Sequence, residues 1–140
     1  MSLYVVDASA GIKWFVPEID SDAALRLQDP AHHLHVPSLF DVEVANTIWK
    51  KLRRAELSSA AADAIVAQLP LIPVPRHSDG PLVTAAFELA EKTGRTVYDS
   101  LYLALADRLG GQVVTADDRF VNALSGTAWA NLIVALRQVP

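Results

Sequence analysis

Short apolar runs alternate along the chain with longer segments of helical composition. The run at residues 3–6 is continuously apolar and rich in β-forming residues, and it ends at Asp7. A continuous apolar run of this kind is typical of a strand that is buried on both faces of a sheet. We therefore predict a buried strand at 3–6, a strand at 112–115 and a candidate short strand at 34–36.

Two further segments give weaker strand signals. Residues 72–74 predict a strand at the edge of a sheet, because Pro73 and Pro75 have no N–H to donate to a neighbouring strand. Residues 132–134 fit either a last strand or part of a helix, and the pattern leaves both open. The chain therefore predicts four to five strands in total.

The segments between these runs predict helices, with capping residues before several of them and Pro or Gly after them. Their expected extents are 8–15, 23–27, 39–54, 60–69, 79–92, 97–109 and 119–124. Strands that are separated by helices pair in parallel through right-handed crossovers. The predicted fold class is therefore α/β with a mainly parallel sheet.

Composition narrows the class of protein. The 140 residues are 51% hydrophobic and 20% charged, with a net charge of −4, which excludes a disordered charged tail and a protein that coats nucleic acid by bulk charge. The chain has no cysteine, which excludes disulfides and thiolate metal sites and suits a reducing cytoplasm. Without a basic leader or a long apolar run, we expect a soluble cytoplasmic protein with one domain over residues 1–140.

Four acidic residues occupy positions that a solvated surface explains poorly. Asp7 and Asp117 each follow a predicted buried strand, at the edge where parallel sheets bind ligands. Glu43 and Asp99 lie in mostly apolar helices. Helix capping or an exposed helix face remains the alternative for each of them, and Asp118 could act as a cap as well as Asp117.

Taken together, the four acids indicate a metal-dependent reaction. Carboxylates that converge on one cleft repel each other unless a cation joins them. Oxygen ligands select hard ions such as Mg²⁺ or Mn²⁺, which activate water and neutralise a phosphate under attack. The residues alone therefore favour phosphodiester hydrolysis. A phosphate-accepting domain built around Asp7 is disfavoured, since it requires a second acid beside the first and a lysine after a later strand.

Motifs in the right order over nearly the whole chain resemble a known family. The segments that carry the resemblance are residues 5–9, 13–18, 37–46, 98–106 and 114–120. They are similar to the PIN-domain ribonucleases, and in particular to the VapC-type toxins of toxin–antitoxin pairs. The resemblance implies an α/β/α sandwich, endoribonuclease activity, a homodimer and a cognate antitoxin that blocks the site.

The resemblance also implies roles for individual residues. Asp7, Glu43, Asp99 and Asp117 match the acidic quartet, in which we expect Asp7 and Asp99 to hold Mg²⁺ or Mn²⁺ directly. Ser9, Asn46 and Thr115 match positions that support the acids or the water shell of the metal. Whether Asp117 or Asp118 is the fourth acid stays open at this stage.

Three basic residues are candidates for contacts with RNA phosphates because they are close in sequence to the acids. They are Lys13, Lys50 and Arg119. Solvated charge on a helix face is the alternative for each of them. The alternative for the whole protein is a non-catalytic PIN-like module that binds RNA or protein, and the RNA target cannot be read from the sequence.

Overall fold

The computed structural model describes residues 2–140 and contains one sheet of five parallel strands. The strand order is β3-β2-β1-β4-β5. The strands are β1 (Ser2–Val6), β2 (His32–Pro37), β3 (Arg76–His77), β4 (Gln112–Thr115) and β5 (Ile133–Ala135). The predicted α/β class with a mainly parallel sheet of four to five short strands is confirmed, and the ambiguous segment near residue 133 is a strand.

Within residues 2–140, seven α-helices connect and flank the strands. They are α1 (Ala8–Gly11), α2 (Ser21–Arg26), α3 (Leu39–Arg53), α4 (Ser59–Gln68), α5 (Val83–Thr93), α6 (Val97–Leu109) and α7 (Asp118–Leu124). Helix α6 has the predicted bounds: the Thr96 side chain accepts a hydrogen bond from the Asp99 N–H at 3.1 Å, and Gly110 ends the helix with a φ of 74°. No helix within residues 2–140 is long and apolar enough to cross a membrane.

The core lies between the central strands and α6. The valines of β1 and β4 are fully buried, and every residue of α6 from Ser100 to Ala106 is buried. Helix α6 packs against β1, β2 and β4, while α1 packs against α3 and β4. Burial on nearly all sides explains why α6 is apolar all round in sequence. The helix is therefore a fixed support for the residues that it carries at its N-terminal end.

The predicted edge strand at residues 72–74 is wrong, because the strand lies a few residues later at Arg76–His77. Pro73 and Pro75 cannot donate hydrogen bonds, so regular pairing with β2 begins only after the second proline. The Ser38 N–H then donates to the His77 carbonyl oxygen at 2.8 Å. Strand β3 lies at the edge of the sheet and pairs only with β2, so the predicted edge position is correct.

The first helix is shorter than predicted. α-Helical geometry ends at Gly11, and residues Ile12–Trp14 continue as a 3-10 turn. Gly11 also lies at the contact between α1 and α3. A Cβ atom added to Gly11 would lie 2.5 Å from the ring of Phe40, a fully buried side chain of α3.

This contact generates a stability prediction. We expect Gly11→Ala to lower the free energy of unfolding by about 1–3 kcal/mol, because the added methyl group overpacks the α1–α3 contact. Urea unfolding followed by circular dichroism measures the change. Gly80→Ala is the matched control, since a Cβ atom there meets nothing within 4 Å. Equal stabilities of the two variants would contradict the prediction.

Candidate active site

The site is built where the central strands β1 and β4 end. Asp7 directly follows β1, and its N–H donates to the Val114 carbonyl oxygen of β4 at 3.0 Å, which continues the pairing of the two strands by one residue. The ends of adjacent parallel strands lie at one edge of the sheet. The side chains of Asp7 and Thr115 therefore meet there, although they are far apart in sequence.

Two hydroxyl groups hold the Asp7 carboxylate. Thr115 Oγ1 and Ser9 Oγ both donate to Asp7 Oδ2, at 2.7 and 2.8 Å. The same hydroxyl oxygens accept the N–H groups of Asp117 and Ala116, at 3.1 and 3.0 Å. The start of the loop after β4 is therefore fixed against the end of β1 by a closed hydrogen-bond network.

Burial dominates the electrostatics of Asp7. The residue is only 7% exposed, and its pKa is raised from 3.8 to about 6. Burial is the largest cause of the rise, the hydrogen bonds from Thr115 and Ser9 oppose it, and charge repulsion from Asp99 and Glu43 adds to it. A nearby cation would therefore stabilise the ionised form of the Asp7 carboxylate.

Helix α3 brings Glu43 to the same place. Glu43 Oε1 accepts a hydrogen bond of 2.7 Å from the hydroxyl group of Tyr102, which is fully buried in α6. Burial raises the pKa of Glu43, the Tyr102 hydrogen bond lowers it, and Asp99 raises it again. The Tyr102 phenol therefore fixes one oxygen of the Glu43 carboxylate, while the negative charge of Asp99 still repels that carboxylate.

Asp99 lies in the first turn of α6, where its own N–H is capped by Thr96. Its carboxylate forms an ion pair with Arg95, whose Nη2 lies 2.9 Å from Asp99 Oδ2. Burial raises the pKa of Asp99 and outweighs the opposing effect of Arg95, while the charge of Asp117 raises it further. Asp99 and Asp117 are therefore close enough for their negative charges to repel each other.

The structure distinguishes Asp117 from Asp118. Asp117 lines the same cleft as the other three acids, and its Oδ1 accepts the Arg119 N–H at 3.0 Å. Asp118 points elsewhere and forms an ion pair with Arg137 at 2.6 Å. Asp41, the acid next to Glu43 in sequence, is held by Arg76 at 3.1 Å. Asp7, Glu43, Asp99 and Asp117 therefore line one cleft, whereas Asp118 and Asp41 are not among its lining residues.

These residues surround an open cleft of ≈ 830 Å³. Of the other residues predicted for the site, Ser9, Asn46, Lys13 and Lys50 line this cleft. Thr115 lies beneath it and acts through Asp7, whereas Arg119 is exposed and is not among the lining residues. None of the four histidines lines the cleft; His35 and His77 contact each other instead, with 3.0 Å between their ring nitrogens.

Three functional neighbours were missed by the sequence analysis. Arg95 forms ion pairs with two of the acids, Tyr102 binds Glu43, and Glu18 pairs at the rim of the cleft with Lys13 and Lys51. Arg95 could have been found from its closeness in sequence to Asp99, since it lies in the turn directly before α6. The other two contacts join distant segments, and the sequence carries no local signal for them.

The donor set fits a hard divalent ion. The acids and the nearby hydroxyls offer oxygen atoms only, and each of Asp7, Glu43 and Asp99 has a pKa raised by burial. Within residues 2–140, no group of three acidic or imidazole side chains is already gathered closely enough to hold an ion.

Comparison with known proteins yields one consistent result. The family model of the PIN domain matches residues 4–123. The chain is 41% identical over 117 residues to ribonuclease VapC3 of Pyrobaculum aerophilum. The aligned region covers 81% of this chain and 88% of that protein.

Solved structures have the same fold. A crystal structure of a Pyrobaculum aerophilum protein superposes on this chain with a TM-score of 0.67 at 25% identity. The superposed region covers 97% of this chain and 85% of that protein's chain. A toxin–antitoxin complex from Klebsiella pneumoniae contains a chain with a TM-score of 0.65 at 14% identity, covering 99% and 100%.

The raised pKa of Asp7 generates a prediction for the metal-free protein. The folded state binds this proton more tightly than the unfolded state, so the stability that Asp7 contributes is present below pH 3.8 and is lost as the pH rises through about 6. We expect Asp7→Asn to raise the free energy of unfolding at pH 8 in EDTA by up to about 3 kcal/mol, because the amide removes a buried charge.

Urea unfolding in EDTA at pH 5 and pH 8 measures this difference, which should shrink at the lower pH. Asp63→Asn is the matched control, because Asp63 is an exposed acid on α4. An Asp7→Asn variant that is less stable than the wild type at pH 8 would show that the carboxylate is not under electrostatic strain.

Proposed function

This chain belongs to the PIN-domain family, and we propose that it is a divalent-metal-dependent endoribonuclease formed by a single domain over residues 1–140. The observation that supports this function best is the meeting of four acids in one open cleft at the carboxyl edge of the sheet. Its relative in Pyrobaculum aerophilum carries the name ribonuclease. The proposed reaction is hydrolysis of RNA phosphodiester bonds.

We assign Asp7, Glu43, Asp99 and Asp117 as the residues that hold Mg²⁺ or Mn²⁺, with Asp7 and Asp99 as direct ligands. Such an ion supplies positive charge to the phosphate and makes a water molecule more acidic. The hydrogen bonds of Asp7, Glu43 and Asp99 fall on one oxygen of each carboxylate. They leave Asp7 Oδ1, Glu43 Oε2 and Asp99 Oδ1 without a hydrogen-bond partner in the described part of the chain. These three oxygens are available to a ligand.

The remaining polar residues of the cleft act on the acids or on the substrate. Ser9 and Thr115 hold the orientation of Asp7 through their hydroxyl groups, and Asn46 is exposed in the cleft as a hydrogen-bonding group for water or RNA. Lys13 and Lys50 are assigned to phosphate contacts. Arg119, exposed two residues after Asp117, is the third such candidate.

We further propose that the protein is the toxin of a toxin–antitoxin pair, that it acts in the cytoplasm, where RNA is available, and that its antitoxin covers the cleft. Structural likeness to a chain of a toxin–antitoxin complex supports an antitoxin partner. A homodimer is also proposed, since α5 exposes the large apolar side chains of Val83 and Phe87 on one face. Sedimentation analysis of the purified protein measures this state directly.

The function is tested with purified protein and a mixture of structured RNAs. We expect cleavage with Mg²⁺ or Mn²⁺, none with EDTA, and a loss of at least ~100-fold in Asp7→Asn and Asp99→Asn, because transition-state charge is no longer stabilised. Asp63→Asn, on the exposed face of α4, should retain full activity. RNA binding without cleavage by a folded protein free of bound inhibitor would favour the non-catalytic binding module.

A second prediction concerns Lys50. This residue is exposed in the cleft and, unlike Lys13 and Lys51, forms no ion pair with a described residue. We expect Lys50→Gln to weaken RNA binding and to reduce the slope of log K against log salt by about 0.7, the value for one phosphate contact on a single strand. Filter binding in the Asp7→Asn background measures the slope. Lys92→Gln, an exposed change on α5, should leave it unchanged.

A further inference from the structure

Arg95 is a cation built into the acidic site. It lies in the short turn between α5 and α6, and its guanidinium group approaches two of the four acids. Nη2 lies 2.9 Å from Asp99 Oδ2 and 3.7 Å from Asp117 Oδ2, and Nε also donates to Asp99 Oδ2, at 3.2 Å. One positive charge therefore bridges two carboxylates that would otherwise repel each other.

The surrounding structure holds Arg95 in this position. Its N–H donates to Thr93 Oγ1 at 3.2 Å, and Thr93 Oγ1 in turn donates to the Leu89 carbonyl oxygen at 2.7 Å. The guanidinium carbon lies 5.1 Å from the centre of the Phe120 ring, and Phe120 is fully buried in α7. Backbone and side chain are thus both fixed, and Arg95 differs in this respect from a lysine on an exposed helix face.

Arg95 contacts the acids but is not among the described residues that line the cleft. Its side chain is 22% exposed, and among the described residues it is absent from those that line the cleft, whereas Asp99 and Asp117 line it. A residue that contacts phosphate would need to face the cleft. The position of Arg95 therefore suits a counter-ion to the acids.

We propose that Arg95 takes the place of a second metal ion and restricts this site to one divalent ion. The inference rests on the metal-dependent function proposed above. Arg95 occupies the region between Asp99 and Asp117, where a second ion would need their oxygens. Asp7, Glu43 and Asp99 keep one unpartnered oxygen each, and with the Asp117 oxygen that Arg95 does not approach they form the place for the single ion.

The charge balance of the site supports one divalent ion together with Arg95. Four ionised carboxylates carry four negative charges, and one divalent ion together with Arg95 neutralises three of them. A second divalent ion beside Arg95 would lie against a fixed guanidinium group, and the repulsion at such a distance is strong in a partly buried site. Replacing Arg95 by a neutral residue removes this repulsion and exposes the Asp99–Asp117 pair to solvent ions.

The number of bound Mn²⁺ ions tests the proposal without relying on activity. Titration of the metal-free chain with Mn²⁺, followed by electron paramagnetic resonance of the free ion, should give one ion per chain for the wild type. Arg95→Met and Arg95→Gln should bind two, and Arg95→Lys, which keeps the charge, should bind one. Arg108→Met is the matched control, because Arg108 donates to the Pro81 carbonyl oxygen at 3.4 Å and forms no ion pair with a described residue, so the number should stay at one.

Thermal unfolding separates this role from a purely structural one. In EDTA, Arg95→Met should melt at a lower temperature than the wild type, because two acids lose their counter-ion, and Mn²⁺ should raise its Tm by more than it raises that of the wild type. A structural ion pair would lower the Tm of the variant equally with and without Mn²⁺. The neutral Arg95→Gln variant provides the same comparison if the methionine variant does not fold.

The outcomes separate this inference from the proposed function. Two ions in the wild type, or one ion in both neutral variants, would overturn the role of Arg95 and leave a metal-dependent nuclease intact. A folded wild type that binds no Mn²⁺ would overturn both. One ion in the wild type and two in the neutral variants would support both.

Discussion

The structure around the cleft depends on the burial of one carboxylate. Asp7 follows β1 directly, and its N–H is paired with β4, so the sheet itself determines where the side chain lies. Taking a carboxylate out of water is costly unless hydrogen bonds and charge offset the loss. Hydroxyl groups from Ser9 and Thr115 provide part of this compensation, and the raised pKa of Asp7 shows that they do not complete it. A cation or a proton is the remaining means of stabilisation.

Each of the neighbouring acids is stabilised by a different group. The Tyr102 phenol binds Glu43, and the Arg95 guanidinium binds Asp99. Tyr102 is carried by α6, and Arg95 by the turn that leads into it, so the geometry of the site depends on this one buried helix. Because α6 packs against three strands of the sheet, the apolar core fixes the spacing of the charged groups. The packing of α6 in the core therefore helps to set the positions of the acids in the cleft.

Local patterns in the sequence predict most of the fold and part of the site. The strands at β1 and β4 and the cap of α6 follow from apolar runs and from Thr96, since these signals are local. The position of Asp7 at a strand end follows in the same way. The edge strand was misplaced because two prolines displace pairing by a few residues. The contact between Tyr102 and Glu43 joins residues 59 apart and depends on how α3 and α6 are rotated, which no local pattern specifies.

The choice between Asp117 and Asp118 shows how an apolar residue can decide the composition of a charged site. Successive residues at a helix start are rotated by about 100° from each other, so two adjacent acids face different directions. Asp117 caps α7 from an extended conformation and lines the cleft, whereas Asp118, the first residue of the helix, pairs with Arg137. Phe120 is fully buried and also lies against Arg95, so it fixes the rotation of α7. The same ring therefore determines which acid faces the cleft and where the guanidinium group that binds it is held.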